Sequence, residues 1–232
     1  MGIVLSDFIS LDGVVQAPGG REEDTDGGFG HGGWSMPFFD PETMGPLLDE
    51  VMQTTEALLF GRRTWQVMAG AWPDRAGDPF ADQMNEIPKY VASRTLTQDD
   101  LGWSNSTLLG GSDAIGAVRE LRHRIGGIQV MGSASLAAQL VHHHLVDEYR
   151  LMIEPILLGG GERLFSRRWA GAQPRVDLHL DVDHRGAHLH LPTCRKSSLT
   201  REPLQHGFQG FGRPGSLTSS GSYIGSPMTR SG

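Results

Sequence analysis

The sequence predicts an α/β domain, and three observations point there. Short apolar runs alternate with amphipathic helical stretches along most of the chain. Two of those runs pass through a small residue straight into a helix start. The 232 residues, 38% of them apolar, suffice for one sizeable core, so neither disulfides nor a structural metal is needed. The single cysteine, Cys194, excludes a disulfide framework and a cysteine-cluster zinc site.

Taken in order, residues 3–9 read as the first strand. Residues 18–33 carry three Gly-Gly pairs among acidic side chains and read as a long mobile loop. Asp40 then stands as an N-cap and Pro41 at the first helical position, with Met44, Leu47, Leu48, Val51 and Met52 on one stripe. Residues 57–60 form a short buried strand ended by Gly61, and a helix over 62–68 follows at once. Strands are expected at 90–92 and 106–109. Ser112 or Asp113 caps a helix on which Ile115, Val118, Leu121 and Ile125 recur at helical spacing, and Gly126-Gly127 ends it. A strand at 128–131, a Gly132-Ser133 turn, a helix at 134–143 and a strand at 149–153 come next. Last, Val176, Leu178, Leu180 and Val182 alternate with polar residues, as do Ala187, Leu189 and Leu191. A four-residue loop, 183–186, puts both apolar sets on one face of a hairpin, with His179 opposite His190 and Asp181 opposite His188.

The composition changes near residue 197. From there to residue 232, 21 of 36 residues are Ser, Gly, Pro or Thr and no period survives. Such a segment cannot bury enough apolar surface to offset its ordering entropy. The expectation is one folded domain over 1–192 and a disordered Gly/Ser-rich tail over 193–232. The alternation stops at Leu191 with Pro192 directly after it, which suggests a frameshift near residues 184–192 and a shortened edge strand.

With 27 acidic and 20 basic side chains the net charge is −7, which opposes broad binding to a phosphate backbone, so no nucleic-acid partner is expected. The longest apolar stretches, 56–60 and 151–158, fall far short of the ~20 residues that span a bilayer, so no membrane partner is expected either. No basic region precedes the first apolar run, which argues against a secretory signal and for a cytoplasmic setting. The run His142-His143-His144 falls at a helix end, where imidazolium complements the dipole, and no metal is expected.

The chemistry sits at the two joins of strand to helix. One reads Leu58-Leu59-Phe60-Gly61-Arg62-Arg63-Thr64, the other Val130-Met131-Gly132-Ser133-Ala134-Ser135-Leu136. At such joins amide groups and the positive helix end converge on one spot, where a phosphate is stabilised. Ser93-Arg94-Thr95 adds a third basic and hydroxyl cluster after a strand. No G-x-G-x-x-G follows the first strand, so a Rossmann assignment has no support.

The stretch 145–165, LVDEYRLMIEPILLGGGERLF, resembles the signature of the dihydrofolate reductase-like superfamily. The branch is the one related to the C-terminal reductase domain of the bifunctional riboflavin-biosynthesis deaminase-reductase. Ser10-Leu11-Asp12-Gly13, Gly61-Arg62-Arg63-Thr64 and Met131-Gly132-Ser133-Ala134 match in order and spacing. The resemblance covers about residues 1–192. It implies a three-layer fold with a mixed, mostly parallel sheet of about eight strands, an NADPH site and a homodimer. By position, Gly61, Arg62, Arg63 and Thr64 would meet the pyrophosphate and 2′-phosphate side, Ser93, Arg94 and Thr95 the adenosine end, and Gly132, Ser133, Ala134, Ser135 and Leu136 the pyrophosphate. Residues 34–40 resemble the Trp, Pro, acid arrangement of dihydrofolate reductases with one extra residue before the acid. That makes Asp40 and Asp12 rival candidates for the catalytic acid, and Trp34 and Pro155 candidates for substrate binding. The implied activity is an NADPH-dependent reductase like 5-amino-6-(5-phosphoribosylamino)uracil reductase or dihydrofolate reductase. Its substrate would be a small heterocyclic, pterin- or pyrimidinone-like molecule or a carbonyl. The alternative is a nucleotide-binding protein without turnover.

Overall fold

Leu58 and Phe60 face one way from their strand and Leu59 the other, and all three are wholly buried. That double burial explains why the segment reads as an unbroken apolar run, as internal parallel strands do. The computed structural model describes residues 2–75, 77–109, 113–165, 179–183 and 186–192. Their strands are β1 (Ile3–Ser10), β2 (Ala57–Gly61), β3 (Lys89–Ala92), β4 (Ser106–Leu109), β5 (Ile128–Met131), β6 (Val146–Glu154), β7 (His179–Asp183) and β8 (Gly186–Pro192). These eight form one sheet in the order β4-β3-β2-β5-β1-β6-β8-β7. Every pairing from β4 to β6 is parallel, whereas β6–β8 and β7–β8 are antiparallel. The sheet is therefore mixed and mostly parallel.

The helices are α1 (Pro41–Gln53), α2 (Arg62–Ala71), α3 (Pro79–Glu86), α4 (Ala114–Arg124) and α5 (Ala134–His142). Leu58, Phe60 and Val91 pack with Met52 of α1, Trp65 of α2 and Met84 of α3. On the opposite face Leu59, Ile3, Leu5 and Val130 pack with Ile115, Val118 and Leu121 of α4 and Leu136 and Leu140 of α5. Three layers result, held by apolar burial worth roughly 1.5–3 kcal/mol for each large side chain.

The helix starts follow local chemistry. Asp113 caps α4, its carboxylate accepting the Gly116 amide at 2.7 Å, and Ser112 lies outside the described residues. Asp40 occupies the α1 cap position, but its Oδ2 accepts from the Thr43 hydroxyl at 2.9 Å instead of from an amide. Helix α3 was not expected. Asp78 caps it through the Phe80 and Ala81 amides, yet two turns that bury only Ala81 and Met84 carry too short a stripe to be read.

At the other end of the sheet the hairpin register is as read, His179 opposite His190 and Asp181 opposite His188. Pairing extends to Asp183 and Gly186, so two residues connect the strands where four were expected. Strand β8 lies between β6 and β7 and keeps its ladder through Glu148 opposite Pro192. It is thus neither an edge strand nor cut short at Leu191, and a proline is tolerated because it is the strand's last residue. The expected tail over 193–232 lies outside the described residues. No helix among the described residues is long and apolar enough to cross a membrane.

Candidate functional site

Strands β2 and β5 are neighbours, but the chain leaves them in opposite directions. It runs from β2 through α2 to β3 on one side and from β5 through α5 to β6 beyond β1 on the other. Where strand order diverges in this way a crevice opens at the carboxyl ends of the strands. A cleft of about 820 Å³, its open mouth included, lies there. Its floor combines Arg63 and Thr64 of the first join with Gly132, Ser133 and Ala134 of the second. Apolar walls come from Phe8, Val15, Leu48, Val67, Met68, Met131 and Met152.

The two joins touch. The Gly61 amide donates to the Ser133 hydroxyl at 2.8 Å, and a Cβ on Gly132 would stand 3.2 Å from the Thr64 methyl. Gly61 therefore spends its N–H on the partner loop, against the expectation that it faces a ligand. The donors on offer at α5 are the first-turn amides of Ala134, Ser135 and Leu136. The Leu136 side chain itself is core, packed against the sheet. Gly132 needs its lack of a side chain, since its φ is +63°. Gly132→Ala should cost about 1–2 kcal/mol through backbone strain and pressure on Thr64, read as a lower unfolding midpoint.

Arg63 binds both Asp24 and Asp26 through its two terminal nitrogens. This grip corrects the mobile-loop expectation for residues 18–33. Gln16, almost wholly buried, donates to Asp24 Oδ1 at 3.1 Å and to the carbonyl of Asp26, and accepts the Glu162 amide at 2.9 Å. Glu23 accepts the amides of Gly19 and Gly20. Burial works to raise the Asp24 pKa, but the bonds from Arg63, the Asp26 amide and Gln16 outweigh it and hold it below the ordinary value. The same acids push the Arg63 pKa up.

The remaining predicted residues divide. Arg62 reaches along its helix to Gln66 at 3.1 Å and is exposed. The buried Ser93 hydroxyl accepts the Thr95 and Leu96 amides, folding a turn that leaves Arg94 and Thr95 exposed. That turn follows β3, whose Ala92 pairs with Gly61, so the third cluster stands on the same sheet edge as the first join. Asp12 accepts four hydrogen bonds, from the Ser10 hydroxyl, the Leu158 and Gly159 amides and Arg163. These hold its carboxyl far below the usual range, the Ser10 bond contributing most. Asp12 thus clasps two loops and is poorly suited to give up a proton. Asp40 stands at the α1 cap position, bonded to the Thr43 hydroxyl, and does not line the cleft. Nor do Trp34 and Pro155: Trp34 is buried beside Val14, Ala17 and Phe29 and donates to the Gln16 carbonyl at 2.8 Å, while Pro155 is exposed. Among the described residues no three His, Cys, Asp or Glu side chains gather into a metal-holding group.

Comparison with known proteins decides the family. The model of the RibD C-terminal domain matches residues 2–181. The chain belongs to the RibD C-terminal domain family. The uncharacterized protein YyaP of Bacillus subtilis (strain 168) is 27% identical over 169 residues, 70% of this chain and 79% of YyaP. The putative riboflavin biosynthesis protein of Shewanella sp. PV-4 superposes with a TM-score of 0.64 at 19% identity, covering 84% of this chain and all of the other. Dihydrofolate reductase from Enterococcus faecalis, solved with NADP(H), gives a TM-score of 0.52 at 15% identity over 84% of this chain and 97% of its own. The fold is dihydrofolate reductase-like, and the family is that of a riboflavin-biosynthesis reductase-like domain.

Within this RibD C-terminal domain the residue that sequence reasoning passed over is Asp7. It lies on β1, only 3% exposed, and lines the cleft. Burial pushes its pKa well above the ordinary carboxylate value, and Glu23 adds to the rise while the Phe8 amide opposes it. A signal was available: an acid in the middle of a run reading IVLSDFIS is out of place in a buried strand unless it has work there.

Proposed function

We propose that this RibD C-terminal domain is an NADPH-dependent reductase acting on a small pterin- or pyrimidinone-like heterocycle or a carbonyl compound. The observation that carries the reading is the contact between the two joins, which brings the Arg63 guanidinium, Thr64 and the α5 N-terminus to one cleft floor. NADPH, when bound, supplies a hydride. The left-handed turn at Gly132 and Ser133 sets the backbone so that first-turn amides of α5 meet the pyrophosphate, with Thr64 beside them. Arg62, Arg63 and Arg94 offer cationic forks to the 2′-phosphate, and the Ser93-Arg94-Thr95 turn meets the adenosine end. The apolar walls exclude water from the acceptor.

Fluorescence titration checks the cofactor: saturable binding of NADPH, tighter than NADH, is expected, and no saturable binding of either would overturn the proposal. Following nicotinamide oxidation across pterins, pyrimidinones and quinones separates a reductase from a binding protein without turnover. We further propose a cytoplasmic homodimer. Light scattering at micromolar concentration should return twice the 25.2 kDa chain mass, and a monomer mass refutes it.

A further inference from the structure

Two side-chain atoms among the described residues are buried without a hydrogen-bond partner, Ser6 Oγ and Asp7 Oδ2. They belong to adjacent residues of one strand, and both residues line the cleft. The chain is otherwise careful with buried polar groups: Gln16 bonds at both ends of its amide and the Trp34 ring nitrogen is satisfied. An unpartnered pair in such a setting calls for an explanation, since burying a polar atom unbonded is costly. The sheet supplies one. Strand β5 pairs with β1 only as far as Met131 opposite Ser6, whereas β1 continues to Ser10 beside β6 alone. The sheet thus opens on one side of β1 at Asp7, next to the Gly132-Ser133 join.

We propose that Asp7 is the proton donor of the reaction, acting on an acceptor with a C=N or C=O bond. This rests on the reductase reading above. In the step, hydride from the reduced nicotinamide forms a new C–H bond and the π pair moves to nitrogen or oxygen. The O–H bond of Asp7 breaks, its proton joins that atom as N–H or O–H, and Asp7 is left as carboxylate until solvent reprotonates it. The rivals are otherwise engaged. Asp12 accepts four hydrogen bonds outside the cleft, and Asp40 accepts from the Thr43 hydroxyl and does not line the cleft. The other charged groups lining the cleft are Glu23, on the Gly19 and Gly20 amides, and Asp24, paired with Arg63. The strands on either side present Met131 and Met152 there. Burial and the Glu23 charge both favour the protonated acid that a donor must be at neutral pH.

A donor beside the reacting atoms also lies beside the nicotinamide ring, so the ring's positive charge in NADP⁺ must favour ionised Asp7. Calorimetry in buffers of different ionisation enthalpy counts the protons released. At neutral pH the wild-type chain should release close to one proton more on binding NADP⁺ than on binding NADPH. The difference cancels what the shared phosphates contribute. Asp7→Asn, which keeps the shape and removes the acid, should abolish that difference while still binding both nucleotides. Infrared spectroscopy of the wild type gives a second readout independent of any variant: a buried protonated carboxyl band that fades on adding NADP⁺. Saturable binding with equal proton release for the two nucleotides, a difference that survives in Asp7→Asn, or no such band overturns the role of Asp7 alone. Failure of both nucleotides to bind overturns the reductase reading first.

Discussion

Asp12→Ala should lower the midpoint of thermal unfolding by about 6–12 °C. The Asp12 side chain is 19% exposed and joins segments far apart in sequence: the Ser10 hydroxyl and the Leu158 and Gly159 amides, with Arg163 as ion-pair partner. Around this clasp the chain makes further cross-links. Leu11 donates to the Ile156 carbonyl, Val15 to that of Glu162, and Leu164 to that of Gly13. Gly161 lies so close that a Cβ would stand 2.8 Å from both Phe29 and Val14. Removing the carboxylate leaves two amides unpaired and one guanidinium without its partner, a loss of about 3 kcal/mol for charge-assisted bonds. At roughly 2–4 °C per kcal/mol for a domain of this size, the stated drop follows. Asp12→Asn should fall between, because it keeps the shape and loses the charge. The pH dependence has a definite sign. The folded-state pKa is depressed, so the stabilisation is fully present above the unfolded value of about 3.9 and is lost as pH falls below it toward the folded value. The Ala variant should lack that part of the acid-induced loss. A melting curve unchanged at neutral pH would show that Asp12 carries no such weight.

The same residue shows what could be read in the sequence and what could not. Asp-Gly at 12–13 reads as a turn, and it is one: the Gly13 amide donates back to the Ser10 carbonyl at 2.9 Å. Nothing local says that this turn meets residues 158–163, because that contact depends on β1 and β6 lying side by side. Elements with a strong period were legible for a physical reason. The helix from Pro41 buries a face whose spacing is written in the residues, whereas the strand 128–131 was legible as a short run buried on both faces between turn residues. The two joins were legible as well. Their mutual contact was not, since it follows from β2 and β5 becoming neighbours across about 70 residues of chain. Trp34 and Pro155 stand outside the cleft lining, for resemblance carries a position and not an environment. Glycine-rich 18–33 looked mobile because its order comes from Gln16, Arg63 and Glu162, all outside the segment. Asp7 escaped because a lone acid among apolar residues has no partner in sequence to announce it, and its two flanking strands arrive more than 100 residues later.

Arg63→Ala combined with Arg94→Ala should cut NADPH affinity by about a hundredfold or more and leave NADH affinity within a fewfold. Each charge-assisted contact to a phosphate is worth about 1.5–3 kcal/mol, and tenfold in affinity is 1.4 kcal/mol. Arg94 is exposed on the turn after β3, at the edge that continues from the first join. Arg63 is one-third exposed and already shares its fork between Asp24 and Asp26, so a phosphate must compete with two carboxylates for it. The competition makes a second, opposite expectation. Asp24→Asn with Asp26→Asn should tighten NADPH binding severalfold, because the guanidinium is then released and two repelling charges are removed. The Ala change at Arg63 has a side effect, since it strands the mostly buried Asp24 without its partner and should weaken the acidic loop. Adding Asp24→Asn to the double variant removes that stranded charge. Stability should then recover while the loss of NADPH preference persists. Fluorescence titration with both nucleotides at two salt concentrations reads all of this. If NADPH and NADH affinities fall together, or if the preference returns with Asp24→Asn, Arg63 and Arg94 serve the loops and not the 2′-phosphate.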